Sequence, residues 1–313
     1  MLRESMREAY GETLVELGKT NPDVVVLDAD VSSSTRTALF GAAFPERFFN
    51  VGIAEGNMMA IAAGLAACGK VPFVNTFAVF ATMRAGDPLR SLVAYPGLNV
   101  KIVGAYGGVS DSYDGASHQS VEDIAVVRSI PHMTVVVAAD AVEARLATLA
   151  AATSKGPVYL RMSRADVPVI FDASSPFVLG RANTLRSGGD LTIMATGCTV
   201  HMALEAVQEL SGLGLHARLL EVHTIKPIDE EALLAAARET GAVLTVEEHS
   251  VYGGLGSAVA EVICQKCPVP MRILGFPDRF GESGGYDEVL ARMGLTTQQI
   301  VQAAQALIQG KRS

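Results

Sequence analysis

One carboxylate, Glu55, stands between Arg47 and Lys70 in the stretch RFFNVGIAEGNMMAIAAGLAACGK. It falls where a strand-like run gives way to a helix-like run of small apolar residues. Glu55 reads either as a solvated acid favoured by the positive end of a helix or as a carboxylate kept for a site. Three more stretches carry side chains that could do chemistry: DADVSSST, NTFAVFATMRAGD and YGGVSDSYDGASHQ. The last places His118, a residue type suited to moving protons, near Asp114. Each has a plain structural reading as well. Ser34 and its neighbours suit helix capping before residues 37–40. Phe77, Phe80 and Met83, three apart, suit a core stripe. His118 suits a loop histidine held by local hydrogen bonds. Taken singly, these residues give a plausible site and no reaction.

The elements that would position them follow from hydrophobic patterning. DVVVLDAD, FFNVG, PFVNTF, NVKIVGA, TVVVAAD and PVYLRM read as buried strands. Residues 3–18, 54–68, 79–94 and 140–152 between them read as helices. Continuous apolar strands alternating with helices predict an α/β fold with a mostly parallel sheet covered on both faces. FDASSPFVLGRANTLRSGGD breaks this pattern and reads as a connection. A second αβ set follows, through LTIMATG, HARLLEV, AVLTVEE and MRILGF, with helices over 199–211, near 255–265 and from Thr296. The expectation is two doubly wound α/β domains with mostly parallel sheets, 1–175 and 187–313, joined by a linker over 176–186. The four candidate stretches then fall in loops after strands, where open α/β sheets bind ligands.

Composition narrows the functions. The chain has 313 residues, 49% apolar, and a net charge of −8. Nucleic acid and anionic membranes are therefore not expected as partners. No signal segment or spanning helix is expected, and a cytoplasmic setting fits. Cys68, Cys198, Cys264 and Cys267 are too few for a disulfide framework. The pair in CQKC lacks the second pair a zinc site needs, so it reads as structural and no metal ligand is expected in this chain. Neither a phosphate-binding G-x-x-x-x-G-K-[ST] loop nor a G-x-G-x-x-G turn is present. YGGLGSAVAE opens a helix and reads as a tight turn or a phosphate cradle.

Together, VGIAE before a small-residue helix, TFAVFATMR, DGASHQSVEDIAVVRSIPHMTVVVAAD and PVYLRMSR resemble the transketolase family. The likeness runs from MREAYGETLVEL to GFPDRFGESGGYDEVLARMGLT and matches the C-terminal half of a split transketolase. It implies a pyrimidine-binding domain followed by a transketolase C-terminal domain. It also implies thiamine diphosphate as cofactor, with a divalent metal (Mg or Ca) held mainly by a partner subunit. That partner would be an N-terminal transketolase subunit, within a heterotetramer built on a homodimer of this chain. The substrates implied are a ketose phosphate donor and an aldose phosphate acceptor.

By the same resemblance, Glu55 hydrogen-bonds the aminopyrimidine nitrogen, and Phe77 and Phe80 flank that ring, with Met83 in the same wall. Asp30 lies near the cofactor. His118 and Asp114 contact the sugar hydroxyls, and His118 assists proton movement. Arg164, Ser34 and Arg7 hold the phosphate end, where guanidiniums pair well with phosphate oxygens. Tyr106 stands where common members have a histidine, Gly56 where split forms have glutamine, and Gly86 where they have tryptophan. These departures point to a specialised sugar donor from a catabolic pathway. The alternatives are a 2-oxo acid dehydrogenase β subunit, a deoxyxylulose phosphate synthase half, or a non-catalytic interaction subunit.

Overall fold

The structure, a computed structural model, describes residues 2–312. It contains a seven-stranded and a five-stranded sheet, plus a two-stranded ribbon joining Arg3–Glu4 to Val167–Pro168. From edge to edge, the larger sheet runs Thr224–Lys226, Thr134–Val137, Val158–Arg161, Lys101–Ala105, Val71–Phe77, Val24–Asp28 and Phe48–Asn50. All its pairings are parallel except that of the first edge strand. The central strands are buried from end to end, as two-sided burial in a parallel sheet requires. Helices cover both faces, including Met6–Thr20, Glu55–Ala67 and Ala141–Thr153.

The second sheet runs Met271–Phe276, Val243–Ser250, Leu191–Ala195, Ala217–Glu221 and Asn183–Arg186, again parallel but for one edge strand. Thr199–Gly212, Leu255–Lys266 and Thr297–Arg312 are among the helices that cover it. The doubly wound α/β expectation holds for both sheets. Two details differ from it. Asn183–Arg186, at the end of the expected linker, forms the antiparallel edge strand of the second sheet. Thr224–Lys226, far along the chain, closes the first sheet by pairing with Thr134–Val137. No helix among the described residues is long and apolar enough to cross a membrane.

Buried charge joins the two sheets. Glu143 and Glu221 lie together beside His223, whose ring stacks on Phe177 at 4.2 Å. The backbone N–H of Ala139 donates to Glu143 at 2.7 Å, and the Asn183 amide donates to Glu221 at 3.0 Å. Burial pushes the Glu143 carboxyl up to about 8, and burial and its neighbour Glu143 push Glu221 well above the usual range. The pair is held by a shared proton. Burial pushes the His223 imidazole down to about 4.

The folded state therefore binds a proton on Glu143 that the unfolded chain has already released, and stability falls as pH rises toward 8. His223 has the opposite effect between its folded value and its ordinary one near 6.5, and none above that. The melting temperature is expected to fall between about pH 6.5 and 8, and Glu143→Gln to flatten that slope. Differential scanning calorimetry across the interval checks this; an unchanged slope in the variant would refute the shared proton.

Candidate functional site

The strand order reverses beside Val24–Asp28: Phe48–Asn50 lies on one side and Val71–Phe77 on the other. Ligand crevices form at the carboxyl ends of strands around such a reversal. Asp30, Ser34, Glu55, Phe80, Tyr106 and Arg164 all lie just past strand ends on that edge.

The loop after Val24–Asp28 is set by a buried carboxylate. Asp28 accepts from Val31 N–H at 2.6 Å and from the Thr35 and Thr37 hydroxyls at 2.8 Å each. Burial pushes its carboxyl up, and these hydrogen bonds oppose that. The turn puts Asp30 at φ 65°, where its carboxylate accepts from Asn50 at 2.9 Å. Asp28→Ala would remove three hydrogen bonds and leave the Val31 N–H without an acceptor, while the two threonine hydroxyls keep each other and the Val31 carbonyl, a loss of about 2–4 kcal/mol. Urea unfolding is expected to show that loss; a change below about 0.5 kcal/mol would mean the turn does not depend on it.

Glu55 is the first residue of its helix and is 5% exposed. It does not stand alone in apolar surroundings: Arg84 donates to it at 3.0 Å. Residues 79–94, expected as one helix, instead contain two π-helical turns, Phe80–Arg84 and Leu89–Ala94. Ala85 N–H reaches back five residues to Phe80 and Tyr95 N–H to Arg90, a widening typical of functional segments. The wider turn lays the Arg84 guanidinium 4.0 Å above the Phe80 ring while it pairs with Glu55. Sequence reasoning missed Arg84, although it ends the same TFAVFATMR run.

A chain of ring contacts continues from Phe80. His118 meets it edge-on at 5.3 Å, and Phe77 lies 5.9 Å away. Phe77 stacks on Tyr106 at 4.2 Å and 15°. Tyr106 sits at φ 63°, a left-handed conformation rare for a large side chain. The guanidiniums of Arg7 and Arg164 lie 5.3 and 5.4 Å from its ring. Arg7 also donates to the Tyr106 hydroxyl at 3.1 Å and to the Ser34 carbonyl at 2.7 Å, so Ser34 engages it through its backbone.

Most of the expected residues are therefore brought together: Glu55, joined through Arg84 to Phe80, then His118, Phe77, Tyr106, Arg7 and Arg164 form one track, with Ser34 at its arginine end. Met83 is 49% exposed and Asp114 is exposed on its loop. Asp111, not singled out from sequence, is fully buried 3.7 Å from Arg164.

The loop from Gly107 to Ser120 closes on itself through reciprocal backbone bonds of 2.8 Å between Gly108 and Ser120. A Cβ on Gly107 would stand 2.7 Å from Arg161 Nε, so the close approach of that guanidinium requires glycine there. The second sheet holds this loop too. Glu248 accepts from Val109 N–H at 2.9 Å, and Gln119 donates to the Glu282 carbonyl at 3.0 Å. YGGLGSAVAE is not a free phosphate cradle, because Glu247 already accepts from Leu255 and Gly256 N–H at 2.6 and 2.8 Å. Cys264 and Cys267 are free thiols.

Comparison with known proteins agrees with this geometry. A family model described as transketolase, pyrimidine binding domain, matches residues 4–169, and one described as transketolase, C-terminal domain, matches residues 180–300. The chain is 44% identical over 306 residues to a 6-deoxy-6-sulfo-D-fructose transketolase subunit of Clostridium sp. (strain MSTE9), covering 98% of this chain and 95% of that one. It is 41% identical to an apulose-4-phosphate transketolase subunit of Phocaeicola vulgatus, covering 95% of this chain and 96% of that one. A solved split-gene transketolase, described as an inactive β4 tetramer, is 48% identical and superposes with a TM-score of 0.90 over 97% of this chain and 98% of that one.

Proposed function

Because the chain belongs to the transketolase family, we propose that it is the C-terminal subunit of a two-subunit transketolase. The transferase would move a two-carbon ketol unit from a specialised ketose with an anionic end group, a phosphate in the common case, to an aldose phosphate. The observation that carries this reading is the track from the Glu55 carboxylate through Arg84, Phe80, His118, Phe77 and Tyr106 to two guanidiniums. It has a proton-holding group at one end and an anion-binding pair at the other. Relatives named for sulfofructose and apulose phosphate support a specialised donor.

Transketolases depend on thiamine diphosphate, which supplies the electron sink for cleavage beside a carbonyl. The residues present fit its pyrimidine end. Glu55 accepts a hydrogen bond from Arg84, although a carboxylate can accept about four. Capacity remains for a ring nitrogen, where Glu55 would hold the proton. Phe77 and Phe80 would flank the ring, Met83 would line the wall, and Asp30 would stand at its margin. His118 would carry a proton to and from a sugar hydroxyl and Asp114 would orient hydroxyls. Arg164 and Arg7, with Ser34 beside them, would clamp the anionic end in forked geometry.

The diphosphate and its divalent metal, Mg or Ca, would be held by the partner, an N-terminal transketolase subunit. An apolar face fits such docking: Ile53, Ile61, Met83, Leu92 and Tyr95 are all exposed around the Glu55 helix. A homodimer of this chain within a heterotetramer would bury such surface. We place the division after a pyrimidine-binding domain over 1–175, with the C-terminal domain beginning at its edge strand Asn183–Arg186 rather than at 187.

Two measurements test the reading. Glu55→Ala in the reconstituted complex is expected to lower cofactor-dependent turnover at least about a hundredfold, the usual scale for a positioned proton-transfer group; turnover near wild type would remove Glu55 from its role. Calorimetry on the isolated chain is expected to show weak or no thiamine diphosphate binding, and tight binding would count against the shared site. Release of CO2 from pyruvate, without ketol transfer, would favour a 2-oxo acid dehydrogenase instead.

A further inference from the structure

Asp111 is the least explained group near the track. It has no solvent exposure, so a substrate cannot touch it. Neither carboxylate oxygen has a donor at hydrogen-bond geometry; burial and the neighbouring Asp114 push its carboxyl up, and Arg164 and His118 oppose them. A buried carboxylate without a donor is costly and holds no element of the fold in place. The cation paired with it is Arg164, whose Nε lies 3.7 Å away and whose side chain is 37% exposed. Arg164 faces the solvent crevice on one side and Asp111 on the other. Arg7 is the second cation at this end, and its Nη1 is already engaged by the Ser34 carbonyl and the Tyr106 hydroxyl. Tyr106 adds an aromatic face and a hydroxyl, not a cation. This chain thus brings two guanidiniums and two acids, Asp111 buried and Asp114 exposed, to the subsite.

We propose that Asp111 is a positioning residue that sets the charge of this subsite, so that it takes a tail of one negative charge, such as a sulfonate, as readily as a phosphate. The proposal rests on the transketolase reading for which ligand end lies here. Its physical basis is simple. A phosphate ester carries about −1.5 to −2 at pH 7, a sulfonate carries one charge, and repulsion from Asp111 acts on each unit of charge. The site therefore gains little from the second charge of a phosphate.

Equilibrium binding to the two-subunit complex tests this without turnover, so a failure of ketol transfer would sink the proposed function and leave this result readable. The probes are ribose 5-phosphate and its 5-deoxy-5-sulfonate analogue. The wild-type complex is expected to bind the two within about threefold. Asp111→Asn is expected to tighten the phosphate about fivefold more than the sulfonate, and the charge-retaining Asp111→Glu to restore the wild-type ratio. A merely structural Asp111 would give equal weakening of both ligands in both variants, and that result overturns the proposal.

A wild-type measurement stands beside it should the variants not assemble. Between pH 5.5 and 7.5 the phosphate gains its second charge, with a pKa near 6, and the sulfonate does not change. Protein groups around the site, including Asp111, Asp114 and His118 on the loop and Arg7 and Arg164 facing Tyr106, act on both ligands in proportion to ligand charge, so the affinity ratio reads the net field of the subsite on the second charge. The ratio is expected to change less than about twofold. A tenfold gain for phosphate with rising pH would overturn the proposal.

Discussion

The Arg161 guanidinium is 4% exposed at the end of a central strand, and the rest of the site depends on how it is satisfied. Its Nε donates to Asp123 at 2.8 Å, and Nη2 donates to the carbonyls of Ser120 and Glu248 at 3.2 and 3.0 Å. The Tyr159 hydroxyl donates to the same Asp123 oxygen at 2.7 Å. Burying such a charge is tolerable only with a paired carboxylate and filled donors, and removing one partner of a buried pair typically costs about 3–5 kcal/mol. Here the partners come from the loop that carries His118, from the helix behind it and from the second sheet. One ion pair therefore fixes the depth of the loop that carries His118 and its attachment to the C-terminal half.

That attachment explains why the second half matters to a site whose side chains come from the first. Glu248 reaches out of the second sheet to hold Val109, and takes bonds from the Cys198 thiol and the Tyr286 hydroxyl on its other oxygen. Burial pushes the Glu248 carboxyl up, and Arg161 counters it. Tyr106 begins the same loop in a strained conformation, kept there by stacking on Phe77 and by Arg7. Strain of this kind persists only where the surroundings over-determine it.

Much of this was legible in the sequence because period and composition reflect burial directly. Runs such as VVVLD and KIVGA could only be two-sided parallel strands, and the loops after them had to hold the site. Motif order singled out Glu55, Phe80, His118 and Arg164, which lie past strand ends on one edge of the first sheet. The parts that escaped are those fixed by distant pairing. Nothing local tells that Arg84 meets Glu55, because a helix of ordinary pitch would aim Arg84 elsewhere; the π-helical turn redirects it. Glu143 and Glu221 stand on separate elements far apart in the chain, and only the packing of two sheets brings them together. Nothing in the sequence marks Asp111, because its burial beside Arg164 is set by the folded loop.

The short strand Thr224–Lys226 leaves its own half to complete the edge of the other sheet. Without it, Thr134–Val137 would present an open row of backbone donors and acceptors, the usual template for unwanted strand pairing. A chain cut between the two halves would thus yield a first piece with a sticky border and a second piece with a stranded tether. Separating the halves at that seam would therefore expose a pairing edge as well as divide the site.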